Sequence, residues 1–318
     1  MKAKIKLVPI SDIKLSKKTT ANNLVKQFYN GGGFSAKKLA IGADIFEAMV
    51  KDKICKRILS LPAAPISTGM RGVVKDLVKN KLVDAVITTC GLLDHDFARV
   101  WKSYCHGDFM MDDVELHKKG IYRLGNILIP KENYGSILED KVQPVLEKLY
   151  SKGIRQISTC ELVRALGESL EKEKNRESSI IYWAWKNKIP IFVPGPTDGA
   201  VGSQVWLFYQ KHSDFKFDIL ADEQELASFV FDAPKLGALM IGGGISKHHT
   251  IWWAQFNKGL EYAVYITTAV EWDGSLSGAQ TREAISWGKL KEKAKHITIE
   301  GDATILLPLM VAAVLERL

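Results

Sequence analysis

Residues 236–249 read LGALMIGGGISKHH, an uninterrupted run of small and apolar residues that ends in glycines and passes into a polar, basic segment. A strand with one face in water alternates apolar and polar positions. A continuous run fits a strand covered on both faces, as in a parallel sheet. The glycines predict a tight exit from that strand, and ISKHH the opening of a helix.

The same order recurs along the chain. ICKRILSLPAAP (54–65), VDAVITTCG (83–91), IFVPGPTDG (191–199), EYAVYITTAVEWDG (261–274) and HITIEGDAT (296–304) read as strands leaving through small or polar residues. TGMRGVVKDLVKNKL (68–82), LLDHDFARVW (92–101), ENYGSILEDKVQPVLEKLY (132–150), IYWAWKNK (181–188) and the stretches 200–211 and 221–231 read as helices. IYRLGNILIP (121–130) is a further strand candidate, and Ser158 with Glu161 forms a capping box ahead of LVRALGESLEKE (162–173). Strands separated by helices predict a doubly wound α/β fold with a mostly parallel sheet, Rossmann-like, because each crossover must lie over the sheet. Residues 15–52 read as two helices broken by NGGGFS (30–35), with Ser35 as a cap for the second. Residues 1–52 are accordingly expected to form a helical segment packed on a single catalytic domain, 53–318.

The chain has 318 residues, 46% hydrophobic and 25% charged, which suits a folded globular protein. No apolar run approaches the ~18 residues of a membrane span, and MKAKIKLVPI lacks a signal-peptide core, so a soluble cytoplasmic protein is expected. The net charge of +8 raises nucleic-acid binding. Yet the basic runs KLSKK (14–18) and KLKEKAK (289–295) lack interleaved aromatics, and solvated faces explain them better. Cys55, Cys90, Cys105 and Cys160 form no paired spacing, and the adjacent His248 and His249 point in different directions on a helix; no metal site is expected.

Sheets of this kind bind ligands outside the carboxyl ends of their strands. The segments predicted there, TTCG (88–91), GPTDG (195–199), IGGGISKHH (241–249), ITTAVEWDGSLSG (266–278) and EGDAT (300–304), are rich in Gly, Thr, Ser and Asp. Triple glycine lets a backbone approach a ligand, and the following helix N-terminus favours an anion, although a tight turn explains the glycines equally well. Asp198, Asp273 and Asp302 suit ribose hydroxyls or a cationic substrate, or else ordinary turns and caps. His248 reads either as a base held neutral at a helix start or as a packed histidine. In EAISWGK (283–289), Lys289 reads either as a helix-end lysine or as a nucleophile. A lysine in water has a pKa near ~10.4, so nucleophilic use needs a loss of roughly three units, which an apolar pocket walled by Trp287 can produce.

Taken together, GGGISKHH (242–249), EYAVYITTA (261–269), EWDGSLSGA (271–279) and EAISWGK (283–289), with TDGAVGSQ (197–204) and RLGNILIP (123–130), resemble deoxyhypusine synthase. LSLPAAPISTGMRG (59–72) is similar to the archaeal branch. The resemblance implies NAD-dependent transfer of the 4-aminobutyl group of spermidine, or a related polyamine, through an enzyme lysine imine to a lysine of a translation factor. It implies Lys289 as the imine-forming lysine and His248 as the base. Glu283, Trp287, Gly274, Ser275 and Asp94 fall on the amine side. Thr89, Cys90, Gly91, Asp198, Gly243, Thr268, Ala269, Ser277, Asp302 and Ala303 fall on the NAD side. Ala63, Ala64, Asp94, His95, Ser203, Trp252 and Leu276 depart from the eukaryotic pattern, and the last three remove polar partners from the amine pocket. The family also implies a homotetramer with no direct nucleic-acid or membrane contact. Aminobutyl transfer to a free diamine, and a silent NAD-binding subunit, are the competing readings.

Overall fold

A computed structural model describes residues 7–318. Six strands, β1 (Cys55–Leu61), β2 (Ala85–Thr88), β3 (Ile191–Phe192), β4 (Lys235–Ile241), β5 (Leu260–Thr267) and β6 (Leu290–Glu300), form one parallel sheet in the order β6-β5-β4-β1-β2-β3. This is the doubly wound order, with the direction of winding reversing between β1 and β4. The register places Leu59 between Val86 and Leu239.

Neighbouring residues on these strands serve two cores. Leu59, Val86, Leu239, Val264 and Ile266 enter one, whereas Ile58, Ala85, Ile87, Ala238, Met240, Ala263 and Tyr265 enter the other. Period-two alternation with both faces buried is why LGALMI contains no polar residue. On the first face lie α1 (Ala21–Gly31), α2 (Phe34–Lys51), α3 (Met70–Lys79), α4 (Cys90–Ala98) and α5 (Ala200–Lys211). The second face carries α6 (Ile219–Phe231), α7 (Gly244–Ala254) and the single-turn α8 (Glu283–Ser286). The last helix, α9 (Ala303–Leu315), returns to the first face, against α1 and α2.

Asp96 on α4 is wholly buried. It accepts from Arg71 Nε at 2.6 Å, Ser179 Oγ at 2.6 Å and the backbone N–H groups of Ile180 and Ile181 at 3.0 and 2.9 Å. One carboxylate thus ties α3 and α4 to the start of the helix Ile180–Asn187. Ser158 and Glu161 form the expected capping box on the helix Thr159–Ser169.

Three local expectations change. IYRLGNILIP is an antiparallel hairpin, Ile121–Leu124 against Ile127–Pro130, outside the main sheet, because Gly125 at φ 61° reverses the chain within the run. Residues 15–20 precede the first helix, whose cap is Thr20, accepting from Asn23 N. Ser35 lies inside α2, which starts at Phe34 after Gly33 with no side-chain cap. Among the described residues no helix is long and apolar enough to cross a membrane.

Candidate active site

The carboxyl ends of β1 and β4 bracket the switch point. β1 runs out into Pro62-Ala63-Ala64, and β4 into Gly242-Gly243-Gly244. Gly242 and Gly244 have φ of 62° and 73°, in the left-handed region that glycine favours. A side chain at Gly244 would meet nothing within 4 Å, so this turn presents bare backbone to open space, directly at the start of α7. Unpaired N–H groups of a first helical turn suit an anionic group.

The other residues predicted for this edge lie at the same ends. Thr89 is the N-cap residue of α4, followed by Cys90 and Gly91; Asp198 follows β3; Thr268 and Ala269 follow β5; Asp302 and Ala303 follow β6. Not all of their side chains are free. Cys90 is buried, which leaves only its backbone to a ligand. Asp302 caps α9 through Thr304 N at 2.8 Å, and Asp273 accepts from Ser275 N at 2.7 Å in a turn. Asp198 is exposed. Ser277 packs against Gly243 so closely that a Cβ there would lie 2.0 Å from its Oγ.

The chain between β5 and β6 is not a regular crossover helix. It descends over the second face as a loop, makes the single turn α8, reverses at Gly288 (φ 68°) and enters β6 directly after Lys289. A cavity of about 320 Å³ opens between this descending segment and α7. Lys247, His248 and Trp252 line it from α7; Glu283, Trp287 and Lys289 line it from the crossover. Thus the cavity runs along the side of the sheet, and Lys289 enters it from the amino-terminal end of β6.

Lys289 is only 7% exposed. Its Nζ stands 5.1 Å from the centroid of the Trp287 ring and 5.6 Å from that of Trp252, within cation–π range of both. Among the described residues its amine has no carboxylate partner. His248 is half-buried and tilts over Trp252, ring centroids 5.7 Å apart. Burial, and then the charge of Lys289, hold His248 below the usual histidine pKa, so the imidazole is kept neutral. It sits in the second turn of α7, so the helix N-terminus expected from the sequence is not the cause. Glu283 is exposed at the cavity mouth and Trp287 is 65% exposed.

Three residues expected on the amine side do not line the cavity. Gly274 and Ser275 lie at the exposed tip of the loop. Asp94 is fully buried and accepts from Tyr134 Oη at 2.6 Å and from the N–H groups of Ala200 and Val201 at 2.8 and 2.7 Å. Its carboxylate therefore caps α5; burial pushes its pKa up while these donors pull it back.

Lys247 was not singled out from the sequence. It is buried, its Nζ donates to the carbonyls of Leu276 and Ala279 at 2.7 Å each, and it lies 3.9 Å from the Tyr265 ring centroid. Burial pushes its pKa down to about 8. Its signal was helical spacing: with Ile251 and Ala254 it occupies the inward stripe of α7, where a lysine is out of place. The adjacent His249 instead meets Glu223 at 3.1 Å, and Trp253 Nε1 donates to the same carboxylate at 2.7 Å.

A family model described as deoxyhypusine synthase matches residues 23–314. The chain belongs to the deoxyhypusine synthase family. A protein of Picrophilus torridus named "Probable deoxyhypusine synthase" is 53% identical over 308 residues, 97% of each chain. One of the same name from Thermoplasma volcanium is 53% identical over 304 residues, 96% of each. The fold is shared with a crystal structure described as that of "a putative deoxyhypusine synthase from Entamoeba histolytica", at TM-score 0.64 and 18% identity over 96% of both chains. As a member of the deoxyhypusine synthase family the chain is a transferase, and the cavity around Lys289 lies wholly within the matched span.

Proposed function

We propose that the chain transfers the 4-aminobutyl group of spermidine, or a closely related polyamine, through an imine on Lys289 to a lysine of a hypusine-bearing translation factor, with NAD as cofactor. The observation that carries this reading is a buried amine, Lys289, within cation–π range of two indoles and in a cavity shared with a neutral imidazole, with a carboxylate at the cavity mouth. A transferred alkylamine needs an amine to carry it, a base to take protons and an anion to receive its free ammonium.

The strand-end edge fits a dinucleotide. The open backbone of Gly244 and the first turn of α7 would hold the diphosphate, Thr89 to Gly91, Thr268, Ala269 and Ala303 would supply walls, and Asp198 or the free oxygen of Asp302 would meet ribose hydroxyls. When bound, NAD supplies a hydride acceptor that later returns the hydride. The chain's own groups do the rest. His248 Nε2 or Nδ1 accepts a proton from the amine donor, Trp252 and Trp287 cover its alkyl chain and Glu283 pairs with its ammonium; Lys289 Nζ attacks the oxidised carbon of the donor, and the enzyme imine forms as the donor's C–N bond breaks and 1,3-diaminopropane leaves.

The test is borohydride trapping with labelled spermidine and NAD, followed by peptide mapping. A 4-aminobutyl adduct on Lys289 is expected, and none in Lys289→Arg, because a guanidinium stays protonated and forms no imine. Label passing to the translation factor supports protein modification. Label passing only to added putrescine would replace that acceptor with a free diamine, and no adduct at all would point to a silent subunit.

A further inference from the structure

The segment 268–282 has little backbone support of its own: within it, Gly278 N donates to Ser275 O at 3.1 Å, a single turn. Its position over the second face is set by side chains beneath it. Lys247 Nζ donates to Leu276 O and Ala279 O. Tyr265, which forms the floor under that ammonium, donates through its hydroxyl to Ser277 O at 2.5 Å, and Thr267 Oγ1 donates to the same carbonyl at 3.1 Å.

These contacts hold a shared border. On one side Ser277 fills the space left by the missing Cβ of Gly243, at the strand-end edge. On the other, Leu276, Ala279 and Gln280 line the amine cavity. The clasp therefore grips the few residues that face both compartments. Lys247 is poorly placed for chemistry of its own, since two of its N–H groups are committed to carbonyls.

We propose that Lys247 is a positioning residue: together with Tyr265 it fixes residues 275–280 as the border that the strand-end edge and the amine cavity share, so that a hydride donor and acceptor meeting past that border do so in one geometry. The inference about catalysis rests on the function proposed above; the clasp itself does not.

The test is amide hydrogen exchange on the full chain without substrates, comparing wild type, Lys247→Met and Tyr265→Phe. Lys247→Met leaves two carbonyls without their charged donor, and exchange of the hydrogen-bonded amides of 268–282, those of Gly278 and Thr281 among them, should accelerate roughly tenfold or more. Amides of β1 and β2 should not change. Tyr265→Phe keeps the ring and removes one bond to the same segment, so a smaller acceleration confined to 268–282 is expected, and it keeps the test standing if Lys247→Met does not fold. In turnover, Lys247→Met should raise the amine KM and lower kcat together, whereas a purely structural lysine would lower the yield of active protein and leave KM unchanged. Unchanged exchange in 268–282, or acceleration spread over the whole chain, overturns the proposal. A loosened segment in a protein that transfers nothing would overturn the proposed function and leave the clasp; a firm segment in active Lys247→Met would overturn the clasp alone.

Discussion

Asp94 offers the sharpest separation between a residue that touches substrate and one that builds the scaffold. The resemblance implied a place beside the amine, but the carboxylate is enclosed and receives Tyr134 Oη, Ala200 N and Val201 N. In Asp94→Asn the shape is kept, but only one oxygen remains, and the amide NH₂ must face at least one N–H that formerly donated. Losing one charge-assisted bond and leaving a buried donor unmatched costs about 2–3 kcal/mol. Unfolding entropy of about 2.1 cal/mol/K per residue, taken over the 318 residues, gives roughly 0.7 kcal/mol/K, so Tm should fall by about 3–4 °C. The assay is thermal unfolding at fixed protein concentration, paired with the amine KM at saturating cofactor. The KM should stay within about twofold of wild type, because nothing in the cavity wall has changed. An unaltered Tm with an amine KM raised tenfold would refute this placement and return Asp94 to the substrate.

Two further expectations concern the site itself. Because burial and then the charge of Lys289 disfavour the imidazolium of His248, this histidine stays neutral to a pH below its ordinary 6.5, and the acid limb of kcat/KM should lie below that value. Its NMR titration midpoint should move upward in Lys289→Met yet remain below 6.5, since burial persists; an unmoved midpoint would place the two groups apart. Gly243→Ala should cut transfer roughly a hundredfold by displacing the segment around Ser277. Adding Ser277→Ala should not restore it, because the new Cβ would also lie 2.5 Å from Ser277 Cα; rescue by that second change would show that only the hydroxyl mattered.

The α/β architecture was legible because strands buried on both faces carry the same signature wherever they occur, as in LGALMI and AVYIT, and glycine marks where they turn into helices. The hairpin at 121–130 escaped because a short apolar run gives no sign of the sheet it joins, and a glycine inside it reads as an interruption until its φ is known. The burial of Lys289 in a cavity was not legible from its own neighbours. Its local sequence suits a helix end, whereas one of the two rings over its amine, Trp252, lies 37 positions earlier in the chain, on α7. Asp94 shows the converse: a position in a motif says which residues are near a ligand's neighbourhood, while the rotamer decides which way the carboxylate faces, here toward Tyr134, Ala200 and Val201.

The cavity's charge arrangement explains why two lysines can share it. Burying an ammonium without compensation is costly, and a carboxylate is the usual remedy. Here Lys247 is compensated by two backbone carbonyls and the face of Tyr265, and Lys289 by the faces of Trp252 and Trp287. Neither lysine pairs with Glu283, the one carboxylate of the lining among the described residues, which under the proposed function leaves it for an incoming ammonium. Had Glu283 paired with Lys289, the cavity would hold a satisfied ion pair, with a protonated, unreactive amine and no anion for a cationic substrate. Each aromatic face attracts a cation by about 0.5–2 kcal/mol, and neither places a negative charge beside Lys289 Nζ. Replacing Trp252 or Trp287 with an acidic residue would therefore abolish transfer even though it adds a partner for the substrate.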